Sequence, residues 1–422
     1  MVVAEEFTHL RKSKPMMLAA GIIWALIAWQ HAAGGEPHAV EEAVRAFLLE
    51  YAELFLFLLA AMTYVNAMTE RQIFDALRSW LVRQRFGYRS LFWITGVLAF
   101  FLSGLLDNLT TALLICAVIM AVGRDDPRFV GLGCINTVVA ANAGGAFSPF
   151  GDITTLMVWQ RGVLDFLTFF NLFVPAAVNY LVPAALMHFA LRPGTPAAAG
   201  LNVRMRRGAV VIMALFGATV ATAVAFHHFL HLPPFLGMMT GLAYLKIFGY
   251  YLRVTHRNHT TYQDAESGDI EPFDTFREVS RAEWDTLLFF FGVIMCVGGL
   301  GFIGYLAHLS QFMYLELGPT TANVLVGILS AVVDNIPVMV AVLQMHPDMD
   351  VQQWLLVTLT AGVGGSLLSV GSAAGVALMG QARGTYTFFA HLRWTPAIAL
   401  GYAVSIWVHM LLNGAFRGVM PG

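Results

Sequence analysis

Long apolar runs are the feature that most limits how this chain can fold. The hydrocarbon core of a bilayer is about 30 Å thick and takes about 20 helical residues to cross. Charged residues make up only 12% of the chain, about half the share found in soluble domains. Because a helix satisfies its own backbone hydrogen bonds in lipid, the sequence predicts an all-α polytopic membrane protein. The candidate crossing segments are 16–33, 47–68, 131–160, 166–190, 208–229, 233–252, 284–304, 352–382 and 393–413.

Two further apolar runs each contain an Asp-Asn pair. The stretches are GLLDNLTTALL at 104–114 and AVVDNIPVMVAV at 331–342. Each run is too long for one ordinary crossing or too short for two. We therefore expect two re-entrant helical hairpins, 88–122 and 320–343, which enter and leave the membrane on the same face and carry the Asp-Asn pairs at their tips.

The distribution of Lys and Arg predicts an orientation in the membrane. Cytoplasmic loops of membrane proteins collect these residues. With both hairpins not crossing and the N-terminus in the cytoplasm, all of the 24 Lys and Arg except Arg45, Arg161 and Arg417 fall on the cytoplasmic side. The C-terminus is then expected in the periplasm.

The two halves of the chain contain similar segments in the same order. EYAELFLF at 50–57 matches EWDTLLFF at 283–290, and ANAGGAFSPFGD at 141–152 matches AGVGGSLLSVGS at 361–372. An odd number of predicted crossings separates the two starts, so the repeats would have opposite orientations, as in many secondary transporters. The expected domains are 1–46, an N-terminal transmembrane helix and outer loop; 47–190, the first inverted repeat with a broken helix at 131–160; 191–283, two connecting transmembrane helices and a cytoplasmic linker; 284–413, the second inverted repeat with a broken helix at 352–382; and 414–422, a C-terminal tail.

Glycine and proline interrupt one predicted helix of each repeat at matching positions. Such interruptions mark the ion site of inverted-repeat transporters, where unwound carbonyls and side-chain oxygens bind the cation. Here they place the backbone of Gly144 and Gly145 beside oxygen-bearing side chains. The candidate ligands for an ion or a proton are Asp107, Asn108, Thr110, Thr111, Asn142, Ser148, Asp152, Thr154, Thr155, Asp334, Asn335 and Ser369.

The acids at the two tips have two compatible interpretations. Asp107 and Asp334 can be N-caps, whose oxygens bind free N–H groups of the following helix. A carboxylate inside a membrane is costly, however, and is by default a functional candidate. A third acid, Asp152, lies in the first break, whereas the second break offers Ser366, Ser369 and Ser372 and no carboxylate, so the predicted site is asymmetric.

Three intramembrane acids with no Lys or Arg beside their motifs favour a cation as substrate. Burial disfavours the charged form of a carboxylate, so such an acid can hold a proton near neutral pH and release it when a sodium ion arrives. Competition between H⁺ and Na⁺ for the same oxygens is the minimum requirement for antiport. An anionic substrate would instead require positive charge or helix N-termini facing it.

The motifs resemble those of NhaD-type Na⁺/H⁺ antiporters of the ion transporter superfamily. The resemblance lies in LLDNLTTALL, VVDNIPVMVAV, NAGGAFSPFGDITT and GVGGSLLSVGSAAGVALMG, and extends from about Lys14 to Asn413. It implies a homodimer in the bacterial inner membrane that exchanges cytoplasmic Na⁺ or Li⁺ for external H⁺ and has no cofactor. It assigns an ion-binding role to Asp107, Asn108, Asp152, Thr154, Asp334 and Asn335, with Na⁺ on the first three of these.

Several alternatives are weighed against antiport. The first is a Na⁺-coupled anion carrier of the same superfamily, of the dicarboxylate or arsenite type. The resemblance implies neutral Ser-Asn-Thr tips for the carboxylate carriers, where this chain has Asp-Asn. An intramembrane aspartyl protease built from Asp107 and Asp334 would need Tyr-Asp and Gly-x-Gly-Asp flanks, and inverted repeats argue against a channel. A net charge of −2 provides no basic surface for nucleic acid. We therefore expect a transporter and not an enzyme, with His391 in an interfacial loop.

Overall fold

The computed structural model of the chain describes residues 11–34, 37–84, 86–123, 126–195, 203–255 and 273–421. Within these ranges every regular element is a helix, so the prediction of an all-helical chain is confirmed. Seven of the described helices are long and apolar enough to cross a membrane, as expected of a multi-pass membrane protein. They are Ser13–Ala32, His38–Glu70, Pro127–Ala146, Phe166–His188, Ala209–Leu230, Trp284–Phe302 and Thr395–Leu412.

The helices are numbered here in chain order. They are α1 Ser13–Gly34, α2 Pro37–Glu70, α3 Ile73–Arg83, α4 Tyr88–Ser103, α5 Asn108–Val122, α6 Pro127–Ala146, α7 Ile153–Gln160, α8 Phe173–His188, α9 Ala209–Leu230, α10 Pro234–Thr255, α11 Thr275–Ser280, α12 Trp284–Phe302, α13 Tyr305–Ser310, α14 Pro319–Ser330, α15 Asn335–Met345, α16 Val351–Gly364, α17 Ala373–Gln381, α18 Phe388–Leu392 and α19 Thr395–Leu412. Short 3₁₀ turns at Phe166–Leu172 and Gly414–Phe416 and a π-helical turn at Gln311–Glu316 complete them.

The chain divides into two compact units. The first comprises residues 1–83 and 200–296, and the second comprises 84–199 and 297–422. In the first unit, α9 and α10 pack against each other and against α2. Tyr64 of α2 joins the three helices, because its hydroxyl donates to the Gly241 carbonyl at 2.7 Å and accepts from the Thr219 hydroxyl at 2.9 Å.

A buried ion network in the first unit surrounds the end of α2. The Glu70 carboxylate pairs with its neighbour Arg71 and with Arg206 at 3.3 Å and Arg277 at 3.6 Å. Glu278 of α11 is fully buried beside Arg277. Burial raises the pKa of the Glu278 carboxyl, and nearby arginines offset part of that rise. The network therefore fixes the segments before α9 and before α12 to the end of α2.

One segment of the first unit differs from the sequence prediction. Residues 37–46 were expected in an outer loop, but α2 begins at Pro37 and continues without a break to Glu70. Glu41 and Arg45 form a 2.7 Å ion pair four residues apart, an arrangement that stabilises a polar helix. Hydropathy cannot separate a polar helical turn from a loop, which explains the difference. Most of the predicted cytoplasmic linker, residues 256–272, lies outside the described residues.

The second unit contains two similar groups of helices. In one group α4 and α5 pack against α6, and in the other α14 and α15 pack against α16. The groups also exchange partners, because α17 packs on α5 and α7 packs on α15. A side chain at Gly144 of α6 would lie 2.0 Å from the Phe100 carbonyl oxygen, and one at Gly364 of α16 would lie 2.0 Å from that of Gly327. Glycine therefore permits the same close helix crossing at matching positions of both groups.

Each group contains an unwound segment in its central helix. Helix α6 ends at Ala146 and α7 begins at Ile153, while α16 ends at Gly364 and α17 begins at Ala373. The first break contains Pro149 and Gly151, and the second contains Gly365 and Gly371. Gly144 and Gly145 were expected in the unwound segment, but they lie in the last turn of α6, so that expectation was wrong. Every residue of α6 from Phe129 to Ala146 is buried, so the first break begins inside the protein.

Candidate functional site

The first Asp-Asn pair lies in the turn between α4 and α5. Asp107 is the N-cap of α5, and its backbone is extended. Its Oδ1 accepts from the Thr110 backbone N–H at 2.8 Å, and its Oδ2 accepts from the Thr110 hydroxyl at 2.6 Å. Both oxygens of this carboxylate therefore bind the first turn of α5, which is the capping arrangement.

The second Asp-Asn pair lies in the matching turn between α14 and α15. Asp334 is again the N-cap residue, but its side chain makes no capping hydrogen bond. Pro337 stands where the first half has Thr110, and proline has neither a backbone N–H nor a hydroxyl. The Asp334 carboxylate, 8% exposed, instead lies close enough to Asp152 for their like charges to interact.

Asp152 ends the first break and starts α7. Its Oδ1 accepts from both the backbone N–H and the hydroxyl of Thr154, each at 2.9 Å. The side chain is almost fully buried, at 4% exposure. The unwound segment therefore holds a carboxylate inside the protein by the ordinary geometry of a helix N-cap.

The side-chain amides of both tips converge on Asp152. Asn108 Nδ2 donates to Asp152 Oδ2 at 2.7 Å, and Asn335 Nδ2 donates to the same oxygen at 3.2 Å. Because a carboxylate oxygen accepts hydrogen bonds, it fixes which end of each amide faces it. Neither Asp107 nor Asp152 forms a salt bridge with a Lys or Arg among the described residues. The two tips thus meet at one acid that has no basic partner there.

A glycine and a serine hold Asn108 in this position. The Ser103 hydroxyl donates to Asn108 Oδ1 at 2.7 Å. A side chain at Gly145 would lie 2.2 Å from the same Oδ1. Glycine at 145 therefore leaves the space that the Asn108 amide occupies beside Asp152.

The second break contributes hydroxyls in place of a carboxylate. Ser372 caps α17 by accepting from the Gly375 N–H at 3.2 Å. Asn142 of α6 donates from Nδ2 to the Ser366 hydroxyl at 2.8 Å, which connects α6 to the second break. In the described part of the chain, Thr111 Oγ1, Asn142 Oδ1 and Ser369 Oγ are buried oxygens without a hydrogen-bond partner. Buried polar oxygens of this kind are chemically suited to a hard cation.

The candidate residues of the sequence analysis occupy different positions in this arrangement. Asn108, Asp152, Thr154 and Asn335 meet directly, whereas Asp107 bonds with Thr110. Outside that cluster, the Ser148 hydroxyl accepts from the Phe150 N–H at 3.3 Å, and the Thr155 hydroxyl donates to the Ala146 carbonyl at 3.4 Å.

Sequence reasoning missed two residues around the site, Ser103 and His391, and it named Ser366 only as one hydroxyl of the second break. Ser103 holds Asn108, and the parallel between LSGLLDN and LSAVVDN could have identified it. Ser366 binds Asn142 from the second break. His391, expected in an interfacial loop, is fully buried and contacts the Ser366 carbonyl instead, so that prediction was wrong.

Comparison with known proteins adds independent information. The sequence profile of the citrate transporter family, CitMHS, matches residues 2–362. The Na⁺/H⁺ antiporter NhaD of Alkalimonas amylolytica is 58% identical over 98% of this chain and 88% of its own length. The protein of the same name from Vibrio cholerae serotype O1 is 57% identical over 98% of this chain and 89% of its own. The chain belongs to the NhaD family. A more distant relative, sodium/proton antiporter 1 of Arabidopsis thaliana, is 31% identical over 98% of this chain and 70% of its own length.

Membership of the NhaD family agrees with the resemblance found in the motifs. The matches with the bacterial relatives include both tips and both breaks, because they cover nearly the whole chain. The profile and the relatives carry names of different chemistry, since citrate is an anion and Na⁺ a cation. The charge of the residues around Asp152 favours one of these two substrate classes over the other.

Proposed function

We propose that this NhaD-family protein exchanges cytoplasmic Na⁺ or Li⁺ for external H⁺. The observation that carries the proposal is the convergence of Asn108 and Asn335 on Asp152. The names of its nearly full-length relatives support Na⁺ and H⁺ as substrates. The proposed ion and proton ligands are Asp107, Asn108, Thr110, Thr111, Asn142, Ser148, Asp152, Thr154, Thr155, Asp334, Asn335 and Ser369, with the backbone of Gly144 and Gly145.

The chemistry of the ligand set favours a cation. Carboxylate, amide and hydroxyl oxygens are what hard cations bind, and Asp152 lies close to a second acid, Asp334. An anion placed there would meet two carboxylates. Asp107 and Asp152 have no arginine or lysine paired with them among the described residues, so these acids are not already neutralised by protein cations.

Competition for the oxygens of Asp152 provides the exchange step. These oxygens accept hydrogen bonds from Thr154, Asn108 and Asn335. A proton or a sodium ion that binds a carboxylate oxygen must share it with these donors, and one carboxylate oxygen cannot hold both ions. Because Asn108 and Asn335 lie at different tips, occupation of Asp152 changes the bonds of both. We propose that this change in the hydrogen bonds of Asn108 and Asn335 links ion binding to alternating access.

We propose that the two groups of helices are inverted repeats, each with a re-entrant hairpin. The pairs α4–α5 and α14–α15 would be the hairpins, and α6–α7 and α16–α17 the broken transmembrane helices. The equivalent glycine crossings at Gly144 and Gly364 and the exchanged packing of α7 and α17 support this symmetry. The repeats would cover 47–190 and 284–413, joined by 191–283 and followed by the tail 414–422. The limit expected after residue 46 falls inside α2, because that helix begins at Pro37.

The proposed setting is the bacterial inner membrane, with the N-terminus in the cytoplasm and the C-terminus in the periplasm. The asymmetry of Lys and Arg supports this orientation. We further propose a homodimer without a cofactor that transports ions in a lipid bilayer. Labelling of single cysteines introduced at the termini, from each side of intact cells, tests the orientation.

The test of function uses purified protein in liposomes with an imposed pH gradient and a pH-sensitive dye. We expect NaCl or LiCl to collapse the gradient in the wild type. Asp152→Asn removes the charge with little change of shape, and we expect exchange at the level of protein-free liposomes. Asp126→Asn is the matched control, because Asp126 caps α6 and Asn caps equally well. A wild type that responds to no cation, or an Asp152→Asn variant with normal exchange, would contradict the proposal.

A second candidate is a Na⁺-coupled anion carrier, which the description of the CitMHS profile favours. The same liposomes distinguish the two functions. Na⁺-dependent uptake of radiolabelled citrate or of a dicarboxylate would support the carrier. Gradient collapse by Na⁺ without any organic anion would exclude this requirement and favour exchange.

A further inference from the structure

Matching backbone carbonyls in the two breaks receive their hydrogen bonds from different donors. The last carbonyls of any helix lack partners within that helix. In the first break the Thr155 hydroxyl donates to the Ala146 carbonyl at 3.4 Å. Ser366 occupies the matching place in the second break, but Gly375 stands where the first half has Thr155. The second half therefore has no hydroxyl to donate from that position.

Gly375 cannot be replaced by a side chain that would restore the hydroxyl. A Cβ built there would lie 2.1 Å from the Ser369 carbonyl oxygen, far inside van der Waals contact. The backbone of the second break passes too close to the start of α17. The donor for the Ser366 carbonyl must come from elsewhere in the chain.

His391, in the short helix α18, supplies that donor. Its ring is fully buried, with Nε2 2.8 Å from the Ser366 carbonyl oxygen and Nδ1 2.8 Å from the Tyr386 hydroxyl. A carbonyl oxygen only accepts, so Nε2 carries the hydrogen. In a neutral imidazole Nδ1 is then an acceptor, and the Tyr386 hydroxyl donates to it. One neutral tautomer satisfies both contacts.

The carbonyl that His391 holds belongs to a residue that also contacts α6. The Ser366 hydroxyl accepts from Asn142 Nδ2 at 2.8 Å. Asn142 Oδ1 is buried without a hydrogen-bond partner in the described part of the chain and is one of the proposed ligands. The path from Tyr386 through His391 and Ser366 therefore ends at an oxygen of the proposed ion site.

We propose that His391 is a positioning residue of the ion site. It performs for the second break what Thr155 performs for the first, by fixing the Ser366 peptide and, through Ser366, the Asn142 amide. This inference rests on the proposed function, because it concerns the geometry of the site for Na⁺. His391 does not contact the ion and does not carry the exchanged proton.

The transport test compares three substitutions at His391 in liposomes. His391→Gln places an amide N–H near the position of Nε2, whereas His391→Asn places one near Nδ1 and His391→Ala places none. We expect the Na⁺ concentration for half-maximal exchange to rise about tenfold in the Asn and Ala variants, the effect of one lost hydrogen bond. We expect the Gln variant to stay within about twofold of the wild type, since it restores that bond.

The behaviour of the Gln variant distinguishes the possible outcomes. A loss of Na⁺ affinity in the Ala and Asn variants, with near-normal affinity in the Gln variant, supports the positioning role. A residue that only fills space would not respond to the position of one N–H group. Normal half-saturation in all three variants overturns it. Equal loss in all three, with folded and monodisperse protein, also overturns it, because the donor at Nε2 would then not be what matters.

A second measurement does not depend on transport. Nitrogen-15 spectra of histidine-labelled protein in nanodiscs report which ring nitrogen carries hydrogen, and His391→Gln identifies the signal. We expect the neutral tautomer protonated at Nε2 at neutral pH. The other tautomer, or an imidazolium, overturns the assignment of the contact. If the spectrum agrees but the wild type exchanges no Na⁺, the proposed function fails and the contact stands.

Discussion

The two tips carry the same Asp-Asn pair, but their carboxylates make different contacts. At the first tip both oxygens of Asp107 bind Thr110. At the second tip Asp334 makes no capping bond, because Pro337 offers neither of the two donors. A residue three positions beyond the acid thus determines whether the carboxylate stabilises a helix end or lies near the central Asp152.

The two breaks differ in a complementary way. The first contains the carboxylate of Asp152, and the second contains the capping hydroxyl of Ser372 at the matching position. The first half thus has an acid at its tip, Asp107, and a second acid in its break, Asp152. The second half has an acid only at its tip, Asp334. The two groups of helices are similar in backbone but divide the carboxylates unequally, which is consistent with the single ion site proposed above.

The largest difference between the tips should appear when each acid is neutralised. Asp334→Asn removes a charge that acts beside Asp152, and we expect exchange to fall about a hundredfold, as when one preorganised electrostatic group is lost. Asp107→Asn keeps the cap, because Asn caps a helix as well as Asp, and we expect a loss within about tenfold. The initial rate of Na⁺-dependent gradient collapse measures both. A larger loss for Asp107→Asn would reverse the comparison.

Two glycines provide a smaller and more local test. Gly145→Ala would bring a methyl group 2.2 Å from Asn108 Oδ1, and the flexible amide must move away from Asp152. We expect a folded protein whose half-saturating Na⁺ concentration rises about tenfold.

Gly362→Ala is the matched control for this test. Its methyl group would lie 3.2 Å from Ala146 Cβ and 3.7 Å from Asp152 Oδ2, a tight but nearly ordinary contact. We expect half-saturation within about threefold of the wild type. Equal effects of the two substitutions would show that Asn108 is not held by the space at Gly145.

The smallest effect is expected when the second tip is made like the first. Pro337→Thr gives Asp334 both donors that Thr110 gives Asp107. We expect α15 to gain a cap of about 1 kcal/mol, seen as a higher melting temperature, while the affinity for Na⁺ falls about threefold. Stability and affinity would then change in opposite directions. A rise of both, or a fall of both, would contradict the proposed role of Pro337.

The positions of the breaks and tips could be predicted from sequence, but the contacts of the acids could not. Pro149 has no backbone N–H to continue a helix and Asp152 caps the next one, so local chemistry places the first break between Ala146 and Ile153. The effect of Pro337 on Asp334 could also be predicted from sequence, because the loss of the backbone N–H and of the hydroxyl follows from the residue type alone.

The role of His391 could not be predicted in this way. It lies 25 residues from Ser366, in a segment whose hydropathy suggests a loop. Only the folded chain brings its ring to the second break. The one local signal was Gly375, where a donor present in the first half is missing. Contacts between distant segments depend on packing, and a single sequence does not encode them as a periodic pattern.

The complete burial of α6 has a consequence for the environment of the protein. Every residue of this helix between Phe129 and Ala146 is buried among its neighbours, so acyl chains or detergent tails have almost no surface of it to contact. A change of lipid length or head group can affect Asn142 and the adjacent break only by displacing the helices around α6. The intrinsic affinity for the ion should therefore be insulated from the surrounding solvent, whether that solvent is a bilayer or a micelle.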